Sequence, residues 1–101
     1  MSEDVKKLME FLNNKVLSNS VRLGILIGLY VFEKMTFSEI AEYTGQSKGS
    51  ISLHIQVLEE AGLIVVKKVP TVAGPRTIIK ITDKGRETVK MYFELIKKVN
   101  K

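Results

Sequence analysis

The sequence of 101 residues contains no cysteine and a single histidine, His54. The absence of thiols excludes disulfides, thiolate metal sites and a cysteine nucleophile, and a lone imidazole leaves few ways to build a zinc site or a Ser-His-Asp triad. The carboxylates are scattered and form no visible catalytic constellation with His54. We therefore expect a protein that is not an enzyme and that uses no metal or cofactor.

Long hydrophobic runs are also missing. No stretch without a charged residue is longer than the ten residues of 23–32, whereas a membrane-spanning helix needs about 20. The N-terminus, MSEDVKK, lacks the apolar segment of a secretory signal peptide. With 45% hydrophobic residues, residues 1–101 are expected to form one globular domain in the cytoplasm, with no membrane partner.

Positive charge is in excess, and the excess is localised. The formal net charge of the chain is +5. Residues 1–33 are neutral overall and residues 34–62 carry −2, whereas residues 63–86 carry +5 and residues 87–101 carry +2. A basic segment of this kind suggests a polyanionic partner.

Two helices are predicted in the N-terminal third. Apolar residues recur at helical spacing over 3–15, so the segment 1–16 is expected to contain an amphipathic helix. Residues 21–33 are apolar on nearly every side, which is typical of a buried, central helix. Gly24 and Gly28 within it have the spacing that allows another helix to approach closely in the core.

A helix-turn-helix is predicted over residues 36–62. Its first helix, 37–44, begins with the pattern of a capping box, formed by Thr36 and Glu39. A glycine follows that helix, and a longer helix, 47–61, begins two or three residues later. Two helices joined by so short a turn containing glycine are the helix-turn-helix arrangement.

The remaining sequence predicts a β-hairpin and a last helix. Residues 63–81 are rich in β-branched side chains on both sides of a tip that contains Pro70, Gly74 and Pro75, which is typical of a hairpin. Residues 83–99 form a helix whose apolar arc covers more than half of its circumference, wider than one packing face requires. We expect this helix to contact both its own core and a second copy of the chain.

The order of these elements is that of a winged helix-turn-helix. Residues 17–90 resemble the DNA-binding domains of small archaeal and bacterial transcriptional regulators near the MarR and ArsR families. The resemblance is carried by the segments LSNSVR (17–22), TFSEIA (36–41), SISLHIQVLEEAGLI (50–64), RT (76–77) and ITDKGR (81–86).

The resemblance implies both a fold and a function. The fold is α+β and mostly helical, a winged helix-turn-helix with a two-stranded hairpin wing (63–81) and flanking N- and C-terminal dimerisation helices. The function is that of a homodimer which binds duplex DNA as a transcriptional regulator, usually a repressor. Metal-sensing relatives use cysteine or clustered histidine ligands, which this chain lacks, so no metal site is implied.

Helix 47–61 is the candidate recognition helix. Ile51, Ile55 and Leu58 lie within a narrow arc and are predicted to face the core. The opposite face and the first turn are then expected to meet the major groove of DNA. These candidate contacts are Ser47, Lys48, Gly49, Ser50, Ser52, Leu53 and Gln56. The alternative is that the Ser- and Gly-rich first turn reflects only a capping preference.

Individual residues of this helix suggest individual roles. Gln56 suits adenine, Leu53 suits a thymine methyl group and Lys48 suits a phosphate. His54 lies between the core face and the groove face. Its side chain either packs between helices with a hydrogen bond to the backbone or contacts a phosphate.

The wing carries four candidate DNA contacts, namely Lys67, Lys68, Arg76 and Lys80. Arg76 is next to the tip and is the candidate for the minor groove, whose negative potential attracts arginine. Lys84 and Arg86 are expected to add phosphate contacts. The alternative is that these charges only prevent pairing at an exposed strand edge.

The first and last helices are expected to form a two-fold interface through Leu8, Leu12, Val89, Tyr92, Phe93 and Ile96. The two recognition helices would then lie about 34 Å apart, one duplex turn, on a roughly palindromic site. Three other functions remain open: a winged helix that binds another protein, non-specific chromatin-like DNA binding, and structure-dependent RNA binding. The few aromatic residues provide no platform for stacking RNA bases.

Overall fold

The computed structural model describes residues 2–100, which form five helices and a three-stranded antiparallel sheet. The predicted α+β fold is confirmed, and helices 37–44 and 83–99 have the predicted bounds. In chain order the elements are α1 (Glu3–Leu12), α2 (Ser20–Phe32), β1 (Lys34–Thr36), α3 (Phe37–Thr44), α4 (Lys48–Glu60), β2 (Ile64–Val69), β3 (Arg76–Ile81) and α5 (Asp83–Val99).

Short polar side chains begin the helices. In each case an oxygen of the N-cap side chain accepts a hydrogen bond from a backbone N–H of the first turn, which would otherwise have no partner. The predicted capping box of Thr36 and Glu39 is present. The five N-caps are Ser2, Asn19, Thr36, Ser47 and Thr82.

Helix α1 ends at Leu12, three residues earlier than predicted. Asn13 is its C-cap, and Oδ1 of Asn14 accepts a hydrogen bond from the Val16 backbone N–H at 2.9 Å. Asparagine side chains compete for backbone groups in this way and favour turns over helix. The resulting turn places Leu17 in the core.

Strand β1 was not predicted, because three residues are too few to show an alternating pattern. Glu33, with φ of 70°, redirects the chain immediately after α2. The strand then pairs antiparallel with β3, so that Lys34 lies opposite Lys80 and Met35 opposite Ile79. The hairpin is therefore part of a larger sheet, in which β3 is the middle strand.

The hydrophobic core lies between the helices and the inner face of the sheet. The triplet predicted to face the core, Ile51, Ile55 and Leu58, is buried. Because side chains alternate along a strand, one face of the sheet contributes its side chains to this core. One cross-strand row consists of Met35, Ile79 and Val66, and a second consists of Ile81 and Ile64.

Helix α2 is central, as predicted, but it is not buried over its whole length. Ile25, Leu26 and Leu29 have no exposed surface, whereas Val31 and Phe32 are 65% and 62% exposed at its C-terminal end. Over residues 2–100, no helix is both long enough and apolar enough to cross a bilayer.

The predicted close approach at the glycine pair of α2 is made by a tyrosine ring. A Cβ atom at Gly28 would lie 2.9 Å from Cε2 of Tyr43 on α3. The Tyr43 hydroxyl donates a hydrogen bond to the backbone carbonyl of Gly24 at 3.1 Å. Tyr43 is half exposed whereas Gly28 is buried, so the ring covers α2 at the edge of the core.

Candidate nucleic-acid interface

Helix α4 presents one buried face and one exposed face. Its N-cap is Ser47, whose hydroxyl accepts a hydrogen bond from the Ser50 backbone N–H at 3.2 Å. Ser50 is half-buried, and Leu53 is 65% exposed, so its side chain is available to a partner. The exposed members of the predicted groove face are Ser47, Lys48, Gly49, Ser52, Leu53 and Gln56.

Polar neighbours hold two side chains of this face. Ser50 Oγ donates to Oε1 of Gln46 at 3.4 Å, and Gln56 Nε2 donates to Oε1 of Glu60 at 3.2 Å. The amide nitrogen of glutamine carries two hydrogens, so one can remain on Glu60 while the other meets a base. Glu60 therefore orients Gln56 without exhausting its hydrogen-bonding capacity.

The strand register divides the wing cations between two faces. Val66 and Ile79 form a pair on the inner face. Because successive side chains alternate, Lys68 shares that inner side, whereas the other three cations lie on the outer face. The outer cations are Lys67, Arg76 and Lys80, all exposed.

Lys80 lies at the base of the wing, farther from the tip than the other wing cations. It is directly opposite Lys34 and four residues from Arg76, which is about 13 Å along β3. The hydrogen bond and charge of Arg86, followed by the charge of Lys80, hold the pKa of Glu33 below its usual value. Lys80 thus belongs to a charge cluster around Glu33, and the four predicted wing contacts do not form one group.

Arg76 lies between the wing and the helix-turn-helix. Hydrogen bonds with Thr36 lower the pKa of Glu39, and the positive charge of Arg76 adds to this effect. A groove of about 350 Å³ separates the start of α3 from the wing. The residues that line it are Thr36, Phe37, Ser38, Pro75, Arg76 and Thr77.

The wing tip is a closed turn that exposes an apolar side chain. The Thr71 backbone N–H donates to the Gly74 carbonyl at 3.1 Å, and the Gly74 N–H donates back to the Thr71 carbonyl at 2.9 Å. Val72, between them, is fully exposed. Val72 is not among the predicted contacts, although apolar residues at such positions can contact the minor groove. Its only signal is a lone valine in the segment PTVAGPR.

Lys84 and Arg86 are bonded within the chain. Lys84 Nζ donates to the Ala61 carbonyl at 2.8 Å, at the end of α4, and Arg86 Nη2 donates to Oε1 of Glu33 at 2.8 Å. Each of these bonds uses only one donor of its side chain, so the expected phosphate contacts stay a prediction. Both side chains tie α5 to the elements before it.

His54 is half-buried, and its partner is a side chain that the sequence analysis did not single out. Its Nδ1 lies 3.2 Å from Nη1 of Arg22, near the start of α2. Burial, and then the positive charge of Arg22, lower the pKa of His54. The packing role left open for His54 thus involves a side chain, not the backbone. Within residues 2–100, no three potential metal ligands lie together.

The predicted dimer residues differ in how far they are buried within their own chain. Val89 is completely buried in the core of its own chain, so its assignment to an exposed interface is wrong. Leu8, Leu12 and Tyr92 are half-buried, and the Tyr92 ring stacks on Phe11 of α1 at a centroid distance of 5.5 Å. The exposed apolar side chains on these two helices are Met9, Met91, Phe93, Ile96 and Val99.

Comparison with known proteins identifies close relatives of this chain. Residues 21–99 match the family described as winged helix DNA-binding domain. An uncharacterized protein of Methanocaldococcus jannaschii is 36% identical over 87 residues, which cover 86% of this chain and 95% of that protein. A transcriptional regulator homologue from Pyrococcus horikoshii OT3 is 38% identical, with a TM-score of 0.83 over 97% of this chain and 94% of that chain.

More distant proteins share the fold. MepR from S. aureus, solved in a complex with DNA, has a TM-score of 0.75 at 17% identity, covering 98% of this chain and 77% of that chain. MarR has a TM-score of 0.72 at 18% identity, covering 94% and 71%.

Proposed function

This chain belongs to the family of winged helix DNA-binding domains, and we propose that it is a transcriptional repressor that binds a roughly palindromic DNA site as a homodimer. Two relatives support this proposal. The protein from Pyrococcus horikoshii is a transcriptional regulator homologue, and the S. aureus protein of the same fold was solved on DNA. The chromosome of such organisms lies in the cytoplasm, which is where we propose that the chain acts.

The exposed face of α4 is the observation that carries the proposal. Ser52, Leu53 and Gln56 project from the side opposite the buried triplet. Short polar and apolar side chains on an otherwise accessible helix suit the major groove, where hydrogen bonds and methyl contacts distinguish all four base pairs. The sole histidine is engaged by Arg22, which favours binding over catalysis.

The wing extends this surface. Arg76 lies next to the closed tip and beside the start of α3, which is the place for a side chain that reaches the neighbouring minor groove. Lys67 and Lys68 are exposed on opposite sides of β2 and add positive charge along the wing. Phosphate contacts of this kind position a protein on the duplex, whereas the bases are read by α4.

The homodimer is supported by the partly exposed apolar side chains of α5. The Phe93 ring contacts Tyr30 of its own chain edge-on at a centroid distance of 5.8 Å, yet Phe93 and Ile96 remain 41% and 38% exposed. A second copy related by a two-fold axis would bury the same residues from both chains. The two α4 helices would then be one duplex turn apart, which is why we propose a palindromic site and a repressor that covers it.

Selection of bound duplexes from a random pool tests this function. The selected sequence and a scrambled one are then titrated by fluorescence anisotropy at several salt concentrations. We expect a palindromic sequence that binds ~10³-fold or more tightly than the scrambled duplex. A second selection with Gln56→Ala should yield a different preferred base at one position in each half-site.

Two results would reject the proposal. Salt-sensitive binding without sequence preference would indicate a non-specific, chromatin-like protein. The absence of binding to any duplex would indicate a winged helix that binds another protein. Identical sites for the wild type and Gln56→Ala would remove Gln56 from base reading and leave the rest of the proposal standing.

A further inference from the structure

One guanidinium joins three parts of the chain. Arg22 Nη2 donates to the backbone carbonyl of Lys15 at 3.0 Å, and its Nε donates to that of Val16. Its Nη1 lies 3.2 Å from Nδ1 of His54 on α4. Arg22 therefore connects the turn after α1 to the helix that presents the candidate DNA contacts.

The chemistry of the two groups fixes the direction of the Arg22–His54 hydrogen bond. A guanidinium has donors and no acceptor, so Nδ1 of His54 must accept. His54 is then neutral, with its proton on Nε2. The lowered pKa of His54 agrees with this neutral state. Of the elements packed against α4, helix α2 supplies the positive charge that contributes to this lowering, through Arg22.

The position of His54 on α4 gives this hydrogen bond its effect. His54 lies between Leu53, which is exposed, and Ile55, which is buried. Apolar packing of the buried face is non-directional, whereas a hydrogen bond constrains both distance and angle. A rotation of α4 about its axis, which would move Leu53 and Gln56, must therefore break or distort the bond to Arg22.

We propose that Arg22 is a positioning residue for DNA recognition, which sets the orientation of α4 relative to the turn between α1 and α2. In the homodimer, α1 and α5 fix the second copy, so the same contact sets the angle between the two recognition helices. The arginine fork holds two carbonyls and one imidazole at once, which the single ammonium of lysine does not reproduce. This inference rests on the proposed function.

A pair of substitutions at His54 tests it in the full-length chain. His54→Leu removes the acceptor, whereas His54→Asn places an acceptor oxygen near the position of Nδ1 and does not titrate. Each variant is titrated with the selected and the scrambled duplex at several salt concentrations, and Kd values are compared at the same salt. We expect the leucine variant to bind the selected duplex about tenfold more weakly and the asparagine variant to stay within about threefold of wild type. The Kd for the scrambled duplex should not change.

Two further readouts separate positioning from simple stability. Arg22→Ala should also raise the Kd for the selected duplex. The double variant Arg22→Ala/His54→Leu should have a Kd no higher than that of the weaker-binding single variant, because both substitutions remove the same contact. As the pH is lowered below the ordinary histidine value of 6.5 and through the depressed pKa of His54, the preference of wild type for the selected duplex should fall, because a protonated His54 cannot accept from Arg22. His54→Asn should not show this fall. Circular dichroism checks that each variant is folded. If Arg22→Ala does not fold, the comparison of His54→Leu with His54→Asn decides the question.

The outcomes that overturn the inference differ from those that reject the function. If wild type binds its selected duplex and the leucine and asparagine variants bind equally well, Arg22 does not position α4. Equal losses on both duplexes with a smaller salt slope would make this pair a phosphate contact instead. If wild type binds no duplex, the proposed function fails and this inference fails with it.

Discussion

At the scale of single residues, the surroundings of a charge matter more than its presence in a basic segment. The segment 63–86 carries a net charge of +5, but its cations are used in different ways. Lys84 and Arg86 are bonded within the chain, and Lys80 lies by Glu33. The cations nearest the wing tip are therefore the ones that we propose as DNA contacts.

Arg76→Ala should weaken binding to every duplex and reduce the salt slope by about one, the effect of a lost phosphate contact. Lys80→Ala is the matched control, because it removes the same charge from the same strand about 13 Å away. Anisotropy titrations across salt concentrations measure both slopes. Equal slopes for the two variants would show that the tip has no special role.

Stability should depend on pH through His54. Because its pKa is lowered in the folded chain, the unfolded chain binds more protons below the ordinary value of about 6.5. The free energy of unfolding should therefore be fully retained above that pH and decrease as the pH falls below it. Glu33 and Glu39, whose pKa values are lowered, lose their contributions only at more acidic pH.

Urea denaturation at closely spaced pH values measures this dependence, with His54→Asn as the control. The asparagine variant should lack the decrease between about pH 6.5 and pH 5.5. If it follows the wild-type curve throughout, His54 is not the group that titrates there.

At the scale of elements, the sequence predicted those helices and strands whose ends are set by neighbouring residues. Helix α3 was placed correctly because the capping pattern of Thr36 and Glu39 and the glycine at its end are both local. Strand β1 was missed because its partner, β3, lies more than forty residues away in the sequence. Val89 was assigned to the wrong surface because a wide apolar arc does not show which part of it faces the chain's own core.

The candidate site was predictable to the same extent. The exposed face of α4 follows from helical periodicity, and the structure places it as expected. Arg22 was missed because its partners, Lys15, Val16 and His54, are brought together only by tertiary packing. The assignment of each wing cation to one face of the sheet needs the strand register, and the composition of the segment does not determine that register.

The joint between α4 and α5 depends on a glycine. A Cβ atom at Gly85 would lie 2.3 Å from the backbone oxygen of Leu63, which cannot move as a side chain does. Gly85→Ala should lower the free energy of unfolding by about 2–4 kcal/mol. Gly24→Ala is the control, since nothing lies within 4 Å of its Cβ position.

Gly24→Ala, the control, should instead raise the free energy of unfolding. Gly24 lies in the interior of α2, where alanine is favoured over glycine by about 0.5–1 kcal/mol. Urea denaturation of both variants gives the two changes in unfolding free energy. A neutral Gly85→Ala would mean that α5 can shift away from Leu63 at little cost.

At the scale of the whole molecule, the proposed function requires a second copy of the chain. The double variant Phe93→Glu/Ile96→Glu should dissociate the proposed homodimer, because four carboxylates would be brought into an apolar interface. Lys98→Glu, on the other side of the same helix, should remain dimeric. Size-exclusion chromatography with light scattering gives the masses, and a dimeric double variant would place the interface elsewhere.

The spacing of the two half-sites distinguishes a two-fold dimer from two chains that bind independently. Two α4 helices held by a two-fold dimer fit only half-sites that face the same side of the duplex. Five base pairs inserted at the centre of the selected palindrome turn one half-site to the opposite side. We expect the Kd measured by anisotropy to rise about 100-fold or more, towards that of the scrambled duplex. An unchanged Kd would show that the two half-sites are bound independently and that the proposed dimer does not read the palindrome.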